Sequence, residues 1–199
     1  MTKEFPNWLT IYEEQSAETM PWYTPVLDRD LETALRELRI FSGHILDLGT
    51  GPATQAIELS IKGFKVTGSD ISAGAIKRAK EKAKKKGAKI KFAQDDILAS
   101  KLKGPFDYIF DRGCFHVFDE EKRKTYPAAV HKMLAPKGLL FLKCFSIQEP
   151  GDQGPYRYQE SDLQIIFKDL FTIESVKETL YQGTLNPVPK ALFCVLKKN

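Results

Sequence analysis

The stretch ILDLGTGPATQA, Ile45 to Ala56, constrains this chain more than any other. An apolar run of strand length ends around an acid, turns through two glycines and passes into a helical pattern. In open α/β sheets, ligands sit beyond the carboxyl ends of the strands, so the turn after the first strand is where a bound molecule meets the backbone. Gly49 and Gly51 allow a sharp turn and a close approach with no side chain between, and Ala53 is small enough to pack tightly. The glycine pair by itself names only a nucleotide-like ligand.

The remaining elements supply the sheet that such a turn needs. Short apolar runs alternate with helical ones: HILDL, a helix ending near Gly63, FKVTG, a helix from Ser72 to Gly87, then KIKFAQ, FDYIF and GLLFLKCFS. Several runs are apolar on both faces, as parallel strands covered by helices are. Asp119 is positioned to cap a helix that Pro127 breaks or restarts and that Leu134 to Gly138 ends. SDLQIIFKDLF reads as a helix from a Ser161 cap, and TIESVKETLY and ALFCVLKK read as two strands joined by a Pro-containing loop. The expected fold is α/β: a Rossmann-like, doubly wound, mostly parallel seven-stranded sheet with helices on both faces and a C-terminal antiparallel hairpin. A chain of 199 residues suits one domain, with its core over 42–199 and a helical lead-in and lid over 1–41, where Pro21 and Pro25 mark a loop.

Composition narrows the class further. With 42% hydrophobic and 28% charged residues and no apolar run of membrane-spanning length, the chain reads as a soluble protein without a membrane partner. MTKEFPNWLTIYEEQ has neither the basic-then-apolar form of a secretory signal nor the acid-poor form of a transit peptide, so a cytoplasmic location is expected. Cys114, Cys144 and Cys194 are far apart and odd in number, which fits reduced thiols. Much of the net charge of +4 lies in KRAKEKAKKKG, where Ile76, Ala79 and Ala83 fall at helical spacing. Those lysines read as the solvated face of an amphipathic helix, not as a nucleic-acid surface. His44 and His131 stand apart from any metal-ligand spacing, and no metal is expected.

Three details decide which nucleotide-like ligand is meant. The third glycine of a dinucleotide fingerprint would fall at Thr54. Asp47, just before the turn, would repel a pyrophosphate and attract an ammonium group. Asp70, ending the second strand, is placed to accept hydrogen bonds from two ribose hydroxyls, and Asp95 and Asp96 end the third strand. This arrangement resembles the class I S-adenosylmethionine-dependent methyltransferases over roughly Ile45 to Phe145. The resemblance implies S-adenosyl-L-methionine as cofactor, bound by Trp22, Asp47, Gly49, Thr50, Gly51, Asp70, Ile71, Asp95, Asp96 and Ile97, with Asp96-Ile97 the better match for the adenine amino group.

The fourth strand leads into FDYIFDRGCFHVFD, Phe106 to Asp119, and its end faces the reactive part of such a cofactor. Asp111-Arg-Gly113 is similar to the same stretch in the thiopurine and related thiol or chalcogen methyltransferases. Pro21-Trp22, Arg123, Tyr126 and the segment Gly154 to Phe167 agree in order. The resemblance implies in-line methyl transfer to a small molecule, probed here by three residues: Asp111 to orient or deprotonate the acceptor, Arg112 to hold an anion or lower a thiol pKa, and His116 as a neutral-pH base. Each has a structural alternative: a contact to the methionine part, an ion pair, a core histidine. Cys114 reads as a small buried hydrophobe. Trp22 and Tyr23 can form an aromatic lid over a sulfonium, and Tyr156 and Arg157 a substrate wall. A protein lysine methyltransferase and a non-catalytic binding module are the competing functions. The acceptor's identity and the oligomeric state are not written in the sequence.

Overall fold

A computed structural model describes residues 3–199. The lead-in contains α1 (Ile11–Glu14) and α2 (Arg29–Glu37). The core then alternates: β1 (His44–Leu48), α3 (Thr54–Ile61), β2 (Lys65–Asp70), α4 (Ala73–Lys85), β3 (Ile90–Gln94), β4 (Phe106–Arg112), α5 (Glu120–Met133) and β5 (Leu134–Ser146). A two-residue strand β6 (Arg157–Tyr158), α6 (Glu160–Phe167), β7 (Phe171–Leu180) and β8 (Lys190–Lys198) complete it.

The sheet runs β3-β2-β1-β4-β5-β8-β7, with β6 beside β5. The first five strands are parallel, and β8 pairs antiparallel with both β5 and β7. This is the doubly wound sheet with a C-terminal hairpin expected from the sequence, enlarged to eight strands by β6. Alternation along β1 sends Ile45 to one core, with α2, α3 and α4, and Leu46 to the other, with α5 and α6. Strand order reverses between β1 and β4, so the loops after Leu48 and Arg112 open at the same crevice.

Two helix starts or interruptions differ from the sequence reading. Pro127 lies inside a continuous α5, buried between Tyr126 and Val130. The backbone donor lost there is offset by the apolar core that ring joins. Helix α6 begins one residue before Ser161, because the Asp162 carboxylate accepts the Gln159 N–H at 3.1 Å and closes the first turn there. Asp119 and Ser72 cap α5 and α4 as expected. Among the described residues, no helix is long and apolar enough to cross a membrane.

The lead-in lies across the start of α4, where the Ser72 hydroxyl donates to the Leu9 carbonyl at 3.2 Å and Arg78 to that of Gln15 at 2.7 Å. It also meets the β7–β8 loop. Thr184 N–H donates to the Pro21 carbonyl at 3.0 Å, and a Cβ on Gly183 would lie 2.0 Å from that same oxygen. Neither backbone can yield without breaking the contact. Gly183→Ala is therefore expected to destabilise the fold by about 2 kcal/mol, the scale of forced overpacking, whereas Gly151→Ala meets no neighbouring atom within 4 Å and suffers only its positive φ of 74°. Denaturant unfolding of the two variants checks the ordering.

Candidate functional site

The loop after β1 holds three left-handed positions at alternate residues: Gly49 (φ 66°), Gly51 (φ 51°) and Ala53 (φ 63°). Protein side chains as well as any ligand use the space the glycines leave. A Cβ on Gly49 would lie 2.3 Å from Cys114 Sγ, and one on Gly51 would lie 2.7 Å from the Tyr12 hydroxyl. Two buried carboxylates hold the loop in shape. Asp47 Oδ2 accepts from the Thr50 hydroxyl at 2.5 Å and from the Ala56 N–H, in the first turn of α3, at 3.1 Å. Asp70 accepts from Gly51 N–H and Ser72 N–H, both at 2.9 Å. Burial pushes the Asp47 carboxyl up to about 7 and that of Asp70 up to about 6, against the pull of those bonds. Both sites would gain from a nearby positive charge.

Above the loop lies an open cavity of about 50 Å³. Asp47, Gly49, Thr50 and Gly51 line its floor, Tyr12, Trp22 and Tyr23 its aromatic wall, and Gln55 and Arg112 its rim. Trp22 Nε1 donates to the Tyr12 hydroxyl at 3.3 Å, and the Trp8 and Trp22 rings stand 5.4 Å apart. The cavity thus unites Trp22, Asp47, Gly49, Thr50 and Gly51. Asp70, Ile71, Asp95, Asp96 and Ile97 lie outside it: Asp70 is spent on Gly51 and Ser72 N–H, Ile71 is exposed, Asp95 accepts from Lys101 N–H at 2.8 Å, and Asp96 accepts from Leu98 N–H at 3.0 Å while capping the turn that buries Ile97.

The segment after β4 differs most from its sequence reading. Asp111 is fully buried, and its oxygens accept from Gly113, Cys114 and Phe115 N–H at 2.8–3.1 Å and from the Tyr126 hydroxyl at 2.6 Å. Burial pushes its carboxyl up to about 6 despite those four bonds. Its lone pairs fold the chain's own turn instead of facing an acceptor. One ring nitrogen of His116 is occupied: Nδ1 accepts the Phe145 N–H at 3.2 Å, which puts the ring proton on Nε2, and the ring stacks on Tyr181. Burial, with the Arg112 charge second, pushes its pKa down to about 3. In this arrangement the ring is buried and neutral, with its one lone pair already used by the Phe145 N–H. The Cys114 thiol, raised first by burial and then by Asp111 and Asp70, stays protonated.

Arg112 does reach the cavity, but as a clamp. Its guanidinium donates to Asp28 Oδ2 and the Trp22 carbonyl, each at 2.9 Å, and to the Gln182 carbonyl, and it lies 4.5 Å above the Tyr181 ring. Asp28 also receives Lys143, which is fully buried on β5 and bonds Asp28, Asp30 and the Gln182 side chain at 2.6–2.8 Å. Burial alone would raise the Asp28 carboxyl, but Lys143 and Arg112 hold it below the ordinary carboxylate value. Sequence reading missed Tyr12, Asp28 and Lys143. A lysine inside the otherwise apolar GLLFLKCFS was the available signal.

Arg157 also has another task than the one its loop composition suggested. It donates to four main-chain carbonyls, of Glu149, Pro150, Gln153 and Pro155, at 3.0–3.4 Å, and so shapes the 149–155 loop. Tyr156 packs between Phe5 and the Arg123 guanidinium, at 6.1 and 4.6 Å between centres.

Residues 45–138 match the model of the methyltransferase domain family. An uncharacterized methyltransferase of Schizosaccharomyces pombe is 34% identical over 104 residues, covering 52% of this chain and 72% of that protein. The chain belongs to the S-adenosylmethionine-dependent methyltransferases. Among more distant relatives of this methyltransferase, a probable thiol methyltransferase of Arabidopsis thaliana is 28% identical over 154 residues, 74% of this chain and 66% of that one. The fold agrees with a solved structure described as "Conversion of a Disulfide Bond into a Thioacetal Group during Echinomycin Biosynthesis": TM-score 0.82 at 24% identity, covering 96% and 91% of the two chains.

For the methyltransferase, the geometry makes His116 a silent group in the neutral range. Nitrogen-detected NMR is expected to show its neutral Nε2–H form unchanged from about pH 8 to about pH 5, both well above its value of about 3. A titration midpoint near the ordinary histidine value of about 6.5 would contradict the assignment.

Proposed function

We propose that this methyltransferase transfers a methyl group to a small thiol or related chalcogen nucleophile by in-line displacement. The observation that carries the reading is the state of the titratable groups around the crevice. Asp111 has its oxygens filled, His116 is neutral with Nδ1 occupied, and Cys114 and Tyr12 are pushed up by burial. Asp47 and Asp70, whose values lie nearer neutrality, are engaged under the glycine loop. An alcohol or amine acceptor needs a base to take its proton during attack, whereas a thiol ionises close to neutrality and arrives as a soft nucleophile. The 28% identical thiol methyltransferase supports the same acceptor class.

The cofactor supplies a methyl group activated on a sulfonium. In this reading its amino-acid end belongs in the cavity, with the ammonium toward Asp47 and the carboxylate toward Arg112. The fit rests on a buried acid that a cation would relieve, on the Gly49–Gly51 cradle, and on Tyr12 and Trp22, whose aromatic faces attract a sulfonium. Asp70 is assigned to the ribose hydroxyls, and Ile71, Asp95, Asp96 and Ile97 to the adenine side. Arg112 acts on the cofactor here and Asp111 acts only through the turn it folds. Catalysis then consists of alignment and exclusion of water by the lead-in and the β7–β8 loop.

Cofactor binding should be linked to a proton. Because Asp47 sits near 7 in the free protein and a bound ammonium favours its charged form, affinity for S-adenosylhomocysteine is expected to be full above that value and to weaken as pH falls through it. Calorimetry across pH, with Asp47→Asn giving a weaker and flat profile, checks the sign. An unchanged profile in the variant would remove Asp47 from the ammonium.

The acceptor class is tested with labelled cofactor and matched thiols, phenols, amines and a cell extract. Thiol methylation is expected, with a rate that rises through the pKa of each thiol in turn. Label appearing only in protein, or a rate governed by an enzyme group shared by all acceptors, would overturn the reading.

A further inference from the structure

Lys143 touches neither the glycine loop nor the cavity, yet it is the most completely enclosed cation in the described residues, with no exposed surface. Burying an ammonium is costly, and replacing a buried ion pair by apolar side chains is often neutral or stabilising, so stability alone does not account for a lysine here. Its flanking strand residues Leu142 and Cys144 are apolar and equally buried. What distinguishes the position is the set of groups it gathers. Asp28 caps α2 in the lead-in, Asp30 lies in the first turn of that helix, and Gln182 sits in the β7–β8 loop.

Two of those groups, Asp28 and Gln182, also hold residues of the cavity. Asp28 Oδ2 takes the Arg112 Nε–H as well as the Lys143 ammonium. The Asp28 N–H donates to Gln55 Oε1 at 2.7 Å. The Gln182 carbonyl receives a second Arg112 donor, while its side chain is fixed by Lys143. Arg112 in turn grips the Trp22 carbonyl. Three lining residues, Trp22, Gln55 and Arg112, are therefore referred to a single buried nitrogen.

We infer that Lys143 is a positioning residue for cofactor binding: through Asp28 and Gln182 it sets the Arg112 guanidinium and draws the lead-in and the β7–β8 loop onto the cavity. The inference rests on the reading that this cavity takes the cofactor's amino-acid end. Removing Lys143 leaves Asp28 paired with Arg112 alone and frees the Gln182 side chain, so the rim of the cavity loses its reference while the glycine loop keeps its own bonds.

The test is calorimetric affinity for S-adenosylhomocysteine, measured on full-length protein well below the melting temperature of each variant. Lys143→Met is expected to raise the Kd about tenfold, the scale of one charge-assisted hydrogen bond. Asp30→Asn, which removes a partner of Lys143 that does not touch Arg112, is expected to lower Tm with the Kd within about twofold. Should Lys143→Met fail to fold, Gln182→Ala keeps the carbonyl that Arg112 uses and removes only the side-chain link, and it should raise the Kd in the same direction. A folded Lys143→Met or Gln182→Ala protein with wild-type Kd, even at reduced Tm, overturns the inference. Asp47→Asn separates the two readings. If it weakens binding while Lys143→Met does not, the cavity assignment stands and the positioning role falls; if Asp47→Asn has no effect, the cavity assignment itself falls.

Discussion

The ion cluster around Asp28 is the constraint on which the closed crevice depends. One carboxylate oxygen receives both Arg112 from β4 and Lys143 from β5, and both cations also reach Gln182 in the C-terminal loop. Such a cluster adds little net stability over apolar packing, but breaking it by removing one partner leaves buried charge uncompensated. It therefore specifies an arrangement. Segments more than a hundred residues apart in the chain, 20–30 and 179–184, are held against the carboxyl ends of the central strands, and Gly183 is small because the Pro21 carbonyl lies against it.

A second constraint is the buried acid pair beneath the glycine loop. Asp47 and Asp70 spend hydrogen-bond capacity on Thr50, Gly51, Ala56 and Ser72, which fixes the loop before any ligand arrives. Their raised pKa values record how little solvent is left to stabilise the charge. The family's cationic cofactor suits that environment, whereas a pyrophosphate would add to the repulsion.

Much of the fold was legible in the sequence, for a physical reason. Strands buried on both faces must be continuously apolar, and helices between them must show a helical period, so HILDL, FDYIF and GLLFLKCFS could be recognised without partners. The two-residue β6 has no period to display, and Pro127 shows that a local helix breaker yields to a core large enough to hold it. The candidate site divides along a different line. Gly49, Gly51 and Asp47 declare themselves because conformation and charge at a strand end leave few alternatives. Arg112 lines the cavity while Asp111 and His116 are buried and do not, and residue type does not report whether a lone pair or a proton is already spent. The sequence held one hint for Asp111: an acid followed by a tight Gly-Cys-Phe turn is also the pattern of a carboxylate capping its own backbone. Asp28 and Lys143 were hidden because their significance lies in pairing across 115 residues.

The central claim is that the cofactor's amino-acid end lies between the buried acid under the glycine loop and the clamped arginine at the rim, beneath the lead-in aromatics. A crystal structure with S-adenosylhomocysteine bound tests it most directly. The account expects the ligand's ammonium beside Asp47, its carboxylate beside Arg112, and Tyr12 and Trp22 over its sulfur, with the Asp28–Lys143 bond intact. A ligand seated away from Asp47, or with its carboxylate in solvent and Arg112 still wholly engaged by Asp28, Trp22 and Gln182, would contradict it.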